Sequence, residues 1–274
     1  MSPPGPFAAK GAAAPLAAFE GATSRLSWIR ETIARMSYEA KSAHLGSSLS
    51  CVEIVDAILS SGRFEGTERD RLIVSKGHAA MAVYASLAAH GLMPAALLDG
   101  YLTNESALWG HVTQAPAAPV IDASTGSLGH GLGLGCGHCY GDRVRGKSRR
   151  VFVVLSDGEC DEGSTWEAAS FAGHHALGQL TAVVDYNKIQ SLDRCEDVLT
   201  KEPFAARWTA FGWDADEVDG HDPEALAAAL VTAGTAPRVV IAHTVKGRGI
   251  PRIEGTVASH YHPARAEDVG GQKR

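Results

Sequence analysis

The chain has 274 residues, 45% of them hydrophobic, and its formal net charge is −6. This length suits one large globular domain or two small ones, and no apolar run is long enough to span a bilayer. The acidic balance lacks the basic face that would favour nucleic acid or an anionic membrane, and the N-terminus does not resemble a secretion signal.

Five cysteines are an odd number for a large chain, which is typical of reduced thiols in the cytoplasm. Two of them, Cys136 and Cys139, form a CxxC pair that invites a metal or redox interpretation. Because no second such pair follows and the segment is a glycine-rich, helix-like run, we expect free thiols instead. We therefore predict a cytoplasmic protein.

In chain order, residues 1–22 are rich in Ala, Pro and Gly without a periodic pattern, which predicts a flexible arm. A single domain is expected over residues 23–265, with a C-terminal tail over 266–274. The domain opens with a helix from Thr23, because apolar residues then recur at helical spacing. Two further helices are predicted after capping boxes: one over 52–59, after Ser50 with Glu53, and one over 164–177, at Ser164 with Glu167. Another is predicted over 79–90, with Gly91 as its stop signal. The last is predicted from Asp222 to Gly234.

Four short apolar segments predict buried strands, since they are rich in branched residues and bounded by polar ones. They cover residues 71–75, 151–155, 180–185 and 239–242. Apolar strands that alternate with helices indicate a parallel sheet covered on both faces, so the predicted fold class is α/β, a single doubly wound parallel-sheet domain. Ligands of such sheets bind beyond the carboxyl ends of the strands.

The most informative local pattern joins Asp157 to Asn187, since each follows a predicted strand. One strand–helix–strand crossover fits the gap between them, so their side chains can meet at one edge of the sheet. Their oxygen atoms suit Mg²⁺, and Gly158 leaves room for a phosphate beside the backbone. An ordinary turn residue and a strand end would show the same spacing, so spacing alone leaves both interpretations open.

Several motifs together resemble transketolases. Ser156-Asp157-Gly158 followed by Asp185-Tyr186-Asn187 is similar to the thiamine diphosphate motif, although Ser156 replaces the usual first glycine. Further segments occur in transketolase order: Lys41 to Gly46, Ser75 to Ala79, Gly110-His111, Ser124 to Gly131, and Lys246 to Gly249. The match covers roughly residues 24–265, and it implies a domain of the diphosphate-binding type.

The resemblance implies that Asp157, Asn187 and the backbone carbonyl of Ile189 bind Mg²⁺, or Ca²⁺ or Mn²⁺ in its place. Glu162 falls where the family has a carboxylate near its dimer interface. Thiamine diphosphate is expected to be bound by a larger set of residues: Gly126, Ser127, Leu128, Gly158, Glu162, Asn187 and Lys246.

The resemblance also assigns four catalytic histidines to the substrate channel: His44, His78, His111 and His260. Imidazole has an ordinary pKa near 6.5, so it can accept a proton from a sugar hydroxyl and return one to an aldehyde oxygen. The residues around His260 depart from the family's usual spelling, which leaves His262 as the alternative. His130 stands where larger transketolases commonly have glutamine.

Full-length members of the family carry a second α/β domain, with a glutamate that acts on the pyrimidine ring of the cofactor. This chain ends at Arg274 without a second parallel-sheet pattern. We therefore expect the partner to be a C-terminal transketolase subunit, in an α2β2 assembly. The predicted activity is that of a transferase, which moves a two-carbon ketol unit from a ketose to an aldose or aldehyde, with sugars or sugar phosphates as substrates.

Two other functions are compatible with parts of the pattern. The α-subunit of a 2-oxo-acid dehydrogenase shares the Mg²⁺ motif, but it is not expected to carry both Ser75-Lys76-Gly77-His78 and Gly126-Ser127-Leu128-Gly129. A non-catalytic subunit that binds cofactor or partner is the other alternative, although every expected metal ligand and channel histidine is present.

Overall fold

Five parallel strands form one sheet within residues 19–231 and 234–270, the part of the chain that this computed structural model describes. Their order in the sheet is β1-β2-β3-β5-β4. The strands are β1 (Arg71–Val74), β2 (Val151–Ser156), β3 (Leu180–Tyr186), β4 (Asp214–Asp219) and β5 (Arg238–His243). Ser156 is in register with Asp185, and Tyr186 with His243, so the carboxyl ends of β2, β3 and β5 meet at one edge.

Helices cover both faces of the sheet. On one face, α1, α3, α4 and α9 pack around Phe152 and Val154, and on the other, α5, α6 and α8 pack around Val153 and Leu155. Since successive side chains of a strand point to opposite faces, both faces are buried, and the predicted doubly wound α/β fold is confirmed. The helices are α1 (Ala22–Ala40), α2 (Leu45–Ser50), α3 (Val52–Ser61), α4 (Ala80–Ala89), α5 (Gly131–Val144), α6 (Gly163–His174), α7 (Cys195–Val198), α8 (Phe204–Ala210), α9 (Pro223–Val231) and α10 (Ala266–Gly270).

The edge strand β4 has no counterpart among the predicted strands. Its sequence, DADEVD, contains four acidic residues and no apolar run. The strand pairs only with β5, and its side chains are at best half-buried. An edge strand of this kind needs no apolar pattern, because its charged side chains face water and discourage further strand pairing.

Both predicted capping boxes are wrong. Ser50 is the last residue of α2, and its hydroxyl donates to Asp185 at 2.6 Å instead of capping α3. The residue before α3 is Cys51, which provides no side-chain cap. In the same way α6 begins after Glu162, without a side-chain cap and ahead of Ser164. At α3 a tertiary contact therefore overrides the local capping pattern, whereas α6 begins one residue before the predicted cap.

The folded part extends beyond the predicted limits of the domain at both ends. Before α1, Phe19 packs against Trp28 with ring centroids 5.8 Å apart. Residues 266–270, predicted as tail, form α10. The rest of the predicted arm and tail, residues 1–18 and 271–274, lies outside the described residues. None of the described helices has the length and apolar character needed to cross a membrane.

Candidate functional site

The carboxyl ends of the strands border a cavity of about 470 Å³, which we call the strand-end cavity. Twelve of the residues predicted to bind cofactor, metal or substrate line it: His44, His78, His111, Gly126, Leu128, Asp157, Gly158, Glu162, Asn187, Ile189, Lys246 and His260. Ser127 is the exception. It lies beside a second cavity of about 640 Å³, which shares Gly126 with the first.

Asp157 and Asn187 do meet at one edge of the sheet. Asp157 is 1% exposed, and its two carboxylate oxygens accept from the backbone amides of Gly158 (2.7 Å) and Lys188 (2.5 Å). Oδ1 of Asn187 accepts from the amide of Ile189 at 3.1 Å. Lys188 adopts a left-handed conformation with φ of 65°, which allows this tight turn between Asn187 and Ile189.

The environment of Asp157 suits a cation. Burial, together with the nearby carboxylate of Asp185, raises the pKa of Asp157 to about 6. No ion pair reaches Asp157 within the described ranges. No three His, Cys, Asp or Glu side chains of the described residues are grouped to hold a metal ion. A cation here would therefore take amide, carbonyl and phosphate oxygens as further ligands, which is the ligand set that Mg²⁺ prefers.

A buried ion pair lies behind this edge of the sheet. Lys76 pairs with Asp185, and both side chains are fully buried. Lys76 also donates to the carbonyl of Ser47 at 3.0 Å, while Asp185 accepts from Nδ2 of Asn187 at 3.1 Å. The latter bond turns Oδ1 of Asn187 away from the pair. This role of Asp185 was not predicted, although an Asp within an otherwise apolar strand is a sequence signal for a buried polar partner.

Glu159 is a second buried carboxyl group that the sequence analysis missed. It accepts from the backbone amides of Gly129 (2.8 Å) and Ser156 (3.3 Å), and from the hydroxyl of Ser75. Burial raises the pKa of Glu159. These bonds join the ends of β1 and β2 to the glycine turn. Gly129 has a φ of 81°, and a Cβ there would lie 2.6 Å from Cβ of Glu162, so this position requires glycine.

The four predicted channel histidines form one cluster. The ring of His44 is central, with its centroid 5.3 Å from that of His78, 5.9 Å from that of His111 and 4.9 Å from that of His260. His78 and His260 are 5.7 Å apart. The residues come from four separate loops, which the sheet brings together at its carboxyl edge.

Three imidazoles of this cluster, those of His44, His78 and His260, are held in the neutral form. Burial lowers the pKa of His44 to about 4 and that of His260 to about 3, and it holds the pKa of His78 well below its ordinary value. The charges of Lys76 and Lys246 act in the same direction on all three rings. A neutral imidazole carries one donor and one acceptor, so it can exchange protons with a bound substrate.

Lys246 distinguishes His260 from His262. Its ammonium donates to the carbonyl of Ile189 at 2.6 Å and lies 3.2 Å from Nδ1 of His260. Because an ammonium group can only donate, Nδ1 of His260 accepts and its Nε2 carries the proton. Burial lowers the pKa of Lys246 to about 8. His262 is exposed and is not among the cavity-lining residues, so of these two histidines only His260 lines the strand-end cavity.

Two buried polar atoms of the cavity wall have no partner among the described residues. They are Nδ1 of His44 and the hydroxyl of Ser47. An unpaired buried polar group costs about 1–3 kcal/mol, so such atoms are expected to meet a ligand. His44 also has a φ of 65°, a strained conformation of the kind that concentrates at binding sites. Ser47 was missed in the sequence, although it stands one helical turn from His44.

Glu162 and His130 lie at the outer edge of the site. Glu162 is exposed at the N-terminal end of α6 and contributes to the cavity lining. His130 is also exposed, and its Nδ1 lies 2.9 Å from the carbonyl of Leu128. His130 borders the second cavity with Ser127. These residues are available to another chain or to a ligand that bridges the two cavities.

The CxxC pair lies in the core and away from this site. Cys136 and Cys139 are buried under α6, and Cys136 donates to the carbonyl of Ala168 at 3.5 Å. Burial raises the pKa of Cys136 to about 12, so its reactive thiolate form is disfavoured. All five cysteines are free, in agreement with the expected thiols.

Fold and cavity together define an α/β domain with a ligand-sized cavity at the carboxyl edge of its parallel sheet, where such folds bind their ligands. The family described as "Transketolase, thiamine diphosphate binding domain" matches residues 25–274. The chain therefore belongs to the transketolase family of transferases and contains its thiamine diphosphate-binding domain. The predicted family and enzyme class are confirmed, and the 2-oxo-acid dehydrogenase alternative is not favoured.

The relatives fall into two groups by length. An apulose-4-phosphate transketolase subunit from Phocaeicola vulgatus is 33% identical over 247 residues, which cover 87% of each chain. The 6-deoxy-6-sulfo-D-fructose transketolase subunit of a Clostridium species is 36% identical over 226 residues, 79% of this chain and 82% of the relative. Transketolase from Rattus norvegicus is 39% identical, but the matched region spans 38% of its length.

The solved structures give the same result. Transketolase from Campylobacter jejuni superposes with a TM-score of 0.81 at 25% identity, over 89% of this chain and 40% of that one. A transketolase variant from Pichia stipitis also superposes with a TM-score of 0.81, at 30% identity, over 89% of this chain and 39% of the variant's chain. The chain thus spans about two fifths of the length of these transketolases.

Proposed function

We propose that this chain is the diphosphate-binding subunit of a two-component transketolase. It would bind thiamine diphosphate and Mg²⁺, and transfer a two-carbon ketol unit from a ketose to an aldose or aldehyde. The observation that carries this proposal is the presence of buried Asp157 and the histidine cluster in one cavity. A site that only bound a diphosphate would need the buried carboxylate of Asp157 but not the histidine cluster.

Asp157, Asn187 and the carbonyl of Ile189 are the groups that would hold the metal. Burial disfavours the carboxylate of Asp157, so a bound cation would stabilise its ionised form. Ca²⁺ or Mn²⁺ would accept the same oxygen ligands as Mg²⁺. At Gly158, a Cβ would lie 2.9 Å from Cβ of Gln190, so any other residue would press the turn against the neighbouring wall.

When bound, thiamine diphosphate supplies the nucleophilic carbon that attacks the ketose carbonyl. The chain's own histidines would handle the protons. A neutral imidazole of the His44 cluster accepts the proton of the donor's C3 hydroxyl as the C2–C3 bond breaks. The same cluster then returns a proton to the aldehyde oxygen of the acceptor. His260 presents a donor at Nε2, because Lys246 occupies its Nδ1.

The partner would be a second chain that carries the pyrimidine-binding domain, in an α2β2 assembly in the cytoplasm. Relatives of similar length are named as transketolase subunits, which supports this arrangement. Glu162 and the second cavity beside Ser127 offer exposed surface next to the strand-end cavity. Which sugar or sugar phosphate is used would depend in part on residues of that second chain.

Cofactor binding is the first test. With Mg²⁺ present, Asp157→Ala is expected to weaken thiamine diphosphate binding by at least about 100-fold, because it removes a direct metal ligand. Calorimetric titration of the chain, alone and with its partner subunit, measures this. Glu167→Ala is the control, since Glu167 is an exposed carboxylate of α6 that does not line the cavity. Equal affinity in parent and Asp157→Ala would refute the metal assignment.

Turnover is the second test. Ketol transfer is expected only when the chain is mixed with its partner subunit, thiamine diphosphate and Mg²⁺. Transfer by the chain alone would contradict the two-component proposal. A mixture that binds the cofactor but transfers no ketol unit to a panel of sugar and sugar phosphate acceptors would instead support the non-catalytic alternative.

A further inference from the structure

One wall of the strand-end cavity is a segment without a long helix or strand. It comprises residues 188–202, and we call it the β3 wall. Ile189, Gln190, Ser191, Leu192 and Val198 line the cavity from it. Short local bonds shape the segment, such as the amide of Cys195 donating to the carbonyl of Lys188 at 2.9 Å. These bonds lie within the wall and do not attach it to the opposite side of the cavity.

Lys201 attaches the wall to the turn after β2. Its side chain is fully buried, which is rare for lysine. The ammonium donates to the carbonyl of Leu199 at 2.6 Å and pairs with the carboxylate of Asp161. Asp161 ends the short turn that begins at Gly158, and it also lines the cavity. The other oxygen of Asp161 accepts from Nε2 of Gln190 at 3.1 Å.

These contacts join the two loops that carry the proposed metal ligands Asp157 and Ile189. Asp157 precedes the turn that ends in Asp161, and Ile189 precedes Gln190 in the β3 wall. The amide of Lys188 already joins the loops directly by donating to Asp157 at 2.5 Å. The contacts from Lys201 through Asp161 to Gln190 add a second connection, so they help to set the separation between these loops. A metal–diphosphate complex held between them depends on that separation, because ligand distances to Mg²⁺ tolerate little change.

The charge of Asp161 gives Lys201 a second role. Asp161 is one of the carboxylates that line a cavity proposed to hold an anionic diphosphate. Without Lys201, this carboxylate would be an unpaired anion that repels the ligand. The buried ammonium of Lys201 neutralises the carboxylate of Asp161 from the side that faces away from the cavity.

We propose that Lys201 is a positioning residue for the cofactor, which holds Asp161 and Gln190 in place and neutralises Asp161 beside the diphosphate. This inference rests on the proposed cofactor binding. It assigns Lys201 no contact with substrate. Neither Lys201 nor Asp161 was among the residues predicted from the sequence.

The test compares three variants, each assembled with the partner subunit. Calorimetric titration measures their affinity for thiamine diphosphate in the presence of Mg²⁺. Lys201→Met is expected to weaken binding by about tenfold or more. Adding Asp161→Asn to Lys201→Met should restore part of the affinity, because no unpaired carboxylate then faces the diphosphate although the tether is still absent. Asp161→Asn alone should bind nearly as tightly as the parent. Lys147→Met, which breaks an exposed pair with Glu68, is the matched control and should have no effect.

The outcomes separate this inference from the proposed function. If the parent binds no thiamine diphosphate, the proposed function fails first. A second outcome is that the parent binds thiamine diphosphate and Asp157→Ala does not. If Lys201→Met then binds the cofactor as tightly as the parent, only the role of Lys201 is refuted. A double variant as weak as Lys201→Met would refute the charge-cancelling role, because a purely structural lysine is not rescued by removing Asp161.

Hydrogen exchange provides a readout that is independent of cofactor. In Lys201→Met, backbone amides of the β3 wall should exchange faster than in the parent and in Lys147→Met. Unchanged exchange would refute the tether. If Lys201→Met does not fold, Lys201→Gln replaces it, since glutamine keeps a donor and removes the charge, and the same outcomes apply.

Discussion

Two groups of histidines in this chain differ in what surrounds them. His90, His221 and His243 are each bonded to a carboxylate: Asp56 at 2.8 Å, Glu53 at 3.1 Å and Glu217 at 2.8 Å, respectively. The strand-end cluster of His44, His78, His111 and His260 has no carboxylate partner within the described residues. Its charged neighbours are the ammonium groups of Lys76 and Lys246 instead.

This is the difference that we expect between histidines that stabilise the fold and histidines that bind a ligand. Nε2 of His221 accepts from the amide of Val245 at 2.8 Å, so its Nδ1–H donates to Glu53 and both ring nitrogens are used. Nδ1 of His44 is buried without a partner among the described residues. An imidazole whose nitrogens are already bonded stabilises the fold, whereas an unbonded one beside a cavity is available to a ligand. The comparison can be tested at both groups.

The largest expected effect is on catalysis. His78→Ala should lower the rate of ketol transfer about 10²–10⁴-fold, the usual contribution of a general acid–base group. Cofactor affinity should stay close to that of the parent, because His78 is not among the proposed metal or diphosphate ligands. His243→Ala is the control from the other group, and steady-state kinetics of the complex compare the two. Similar losses of the ketol transfer rate in His78→Ala and His243→Ala would contradict the distinction between the two groups of histidines.

The next effect is on stability. His221→Ala removes a donor to Glu53 and the acceptor for the amide of Val245. The free energy of unfolding should fall by about 1–3 kcal/mol, because buried polar groups lose their partners. Urea unfolding measures this, and ketol transfer per folded complex should be retained. A variant as stable as the parent would show that this carboxylate-bound histidine is not structural.

A smaller effect concerns pH. The pKa of His44 is about 4 in the folded chain, below its ordinary value. Between these values the unfolded chain binds more protons, so stability falls as the pH drops from about 6.5 toward 4. His44→Asn, which tolerates the left-handed backbone, should therefore lose less stability than the parent between pH 7 and pH 5. The raised pKa of Asp157 acts in the opposite direction, but equally in both proteins.

Urea unfolding at the two pH values checks this prediction. His262→Asn is the control, because His262 is exposed and lies outside the cluster. Equal pH dependence in His44→Asn and the parent would contradict the neutral state assigned to His44.

The smallest effect is expected at the sheet edge. His243 and Glu217 form a partly exposed pair between β5 and β4. Pairs of this kind contribute about 0–1 kcal/mol, so His243→Gln should change the free energy of unfolding by less than His221→Ala does. Thermal and urea unfolding of the two variants side by side measure this. A larger loss in His243→Gln would mean that the carboxylate-bound histidines cannot be ranked by burial.

Local sequence patterns were sufficient for the buried elements. The apolar segments at β1, β2, β3 and β5 were predicted because both faces of those strands are covered. The start of α9 was also predicted, and Asp222 accepts from the amide of Glu224 at 2.9 Å there. The acidic strand β4 was missed because its charged side chains are largely exposed, so it carries no apolar pattern. The capping box at Ser50 failed because its hydroxyl donates to Asp185 instead, and the one at Ser164 failed because α6 begins one residue earlier.

The sequence by itself determined the family, the cofactor class and the identity of the residues at the strand ends, because these depend on motifs of a few neighbouring residues. Tertiary structure alone decided which polar side chains are already bonded. Glu53 and His221 are 168 positions apart, Lys76 and Asp185 are 109 apart, and Lys201 lies 40 from Asp161. Such pairs depend on strand order and register, which place distant loops side by side, and no local periodicity encodes that placement.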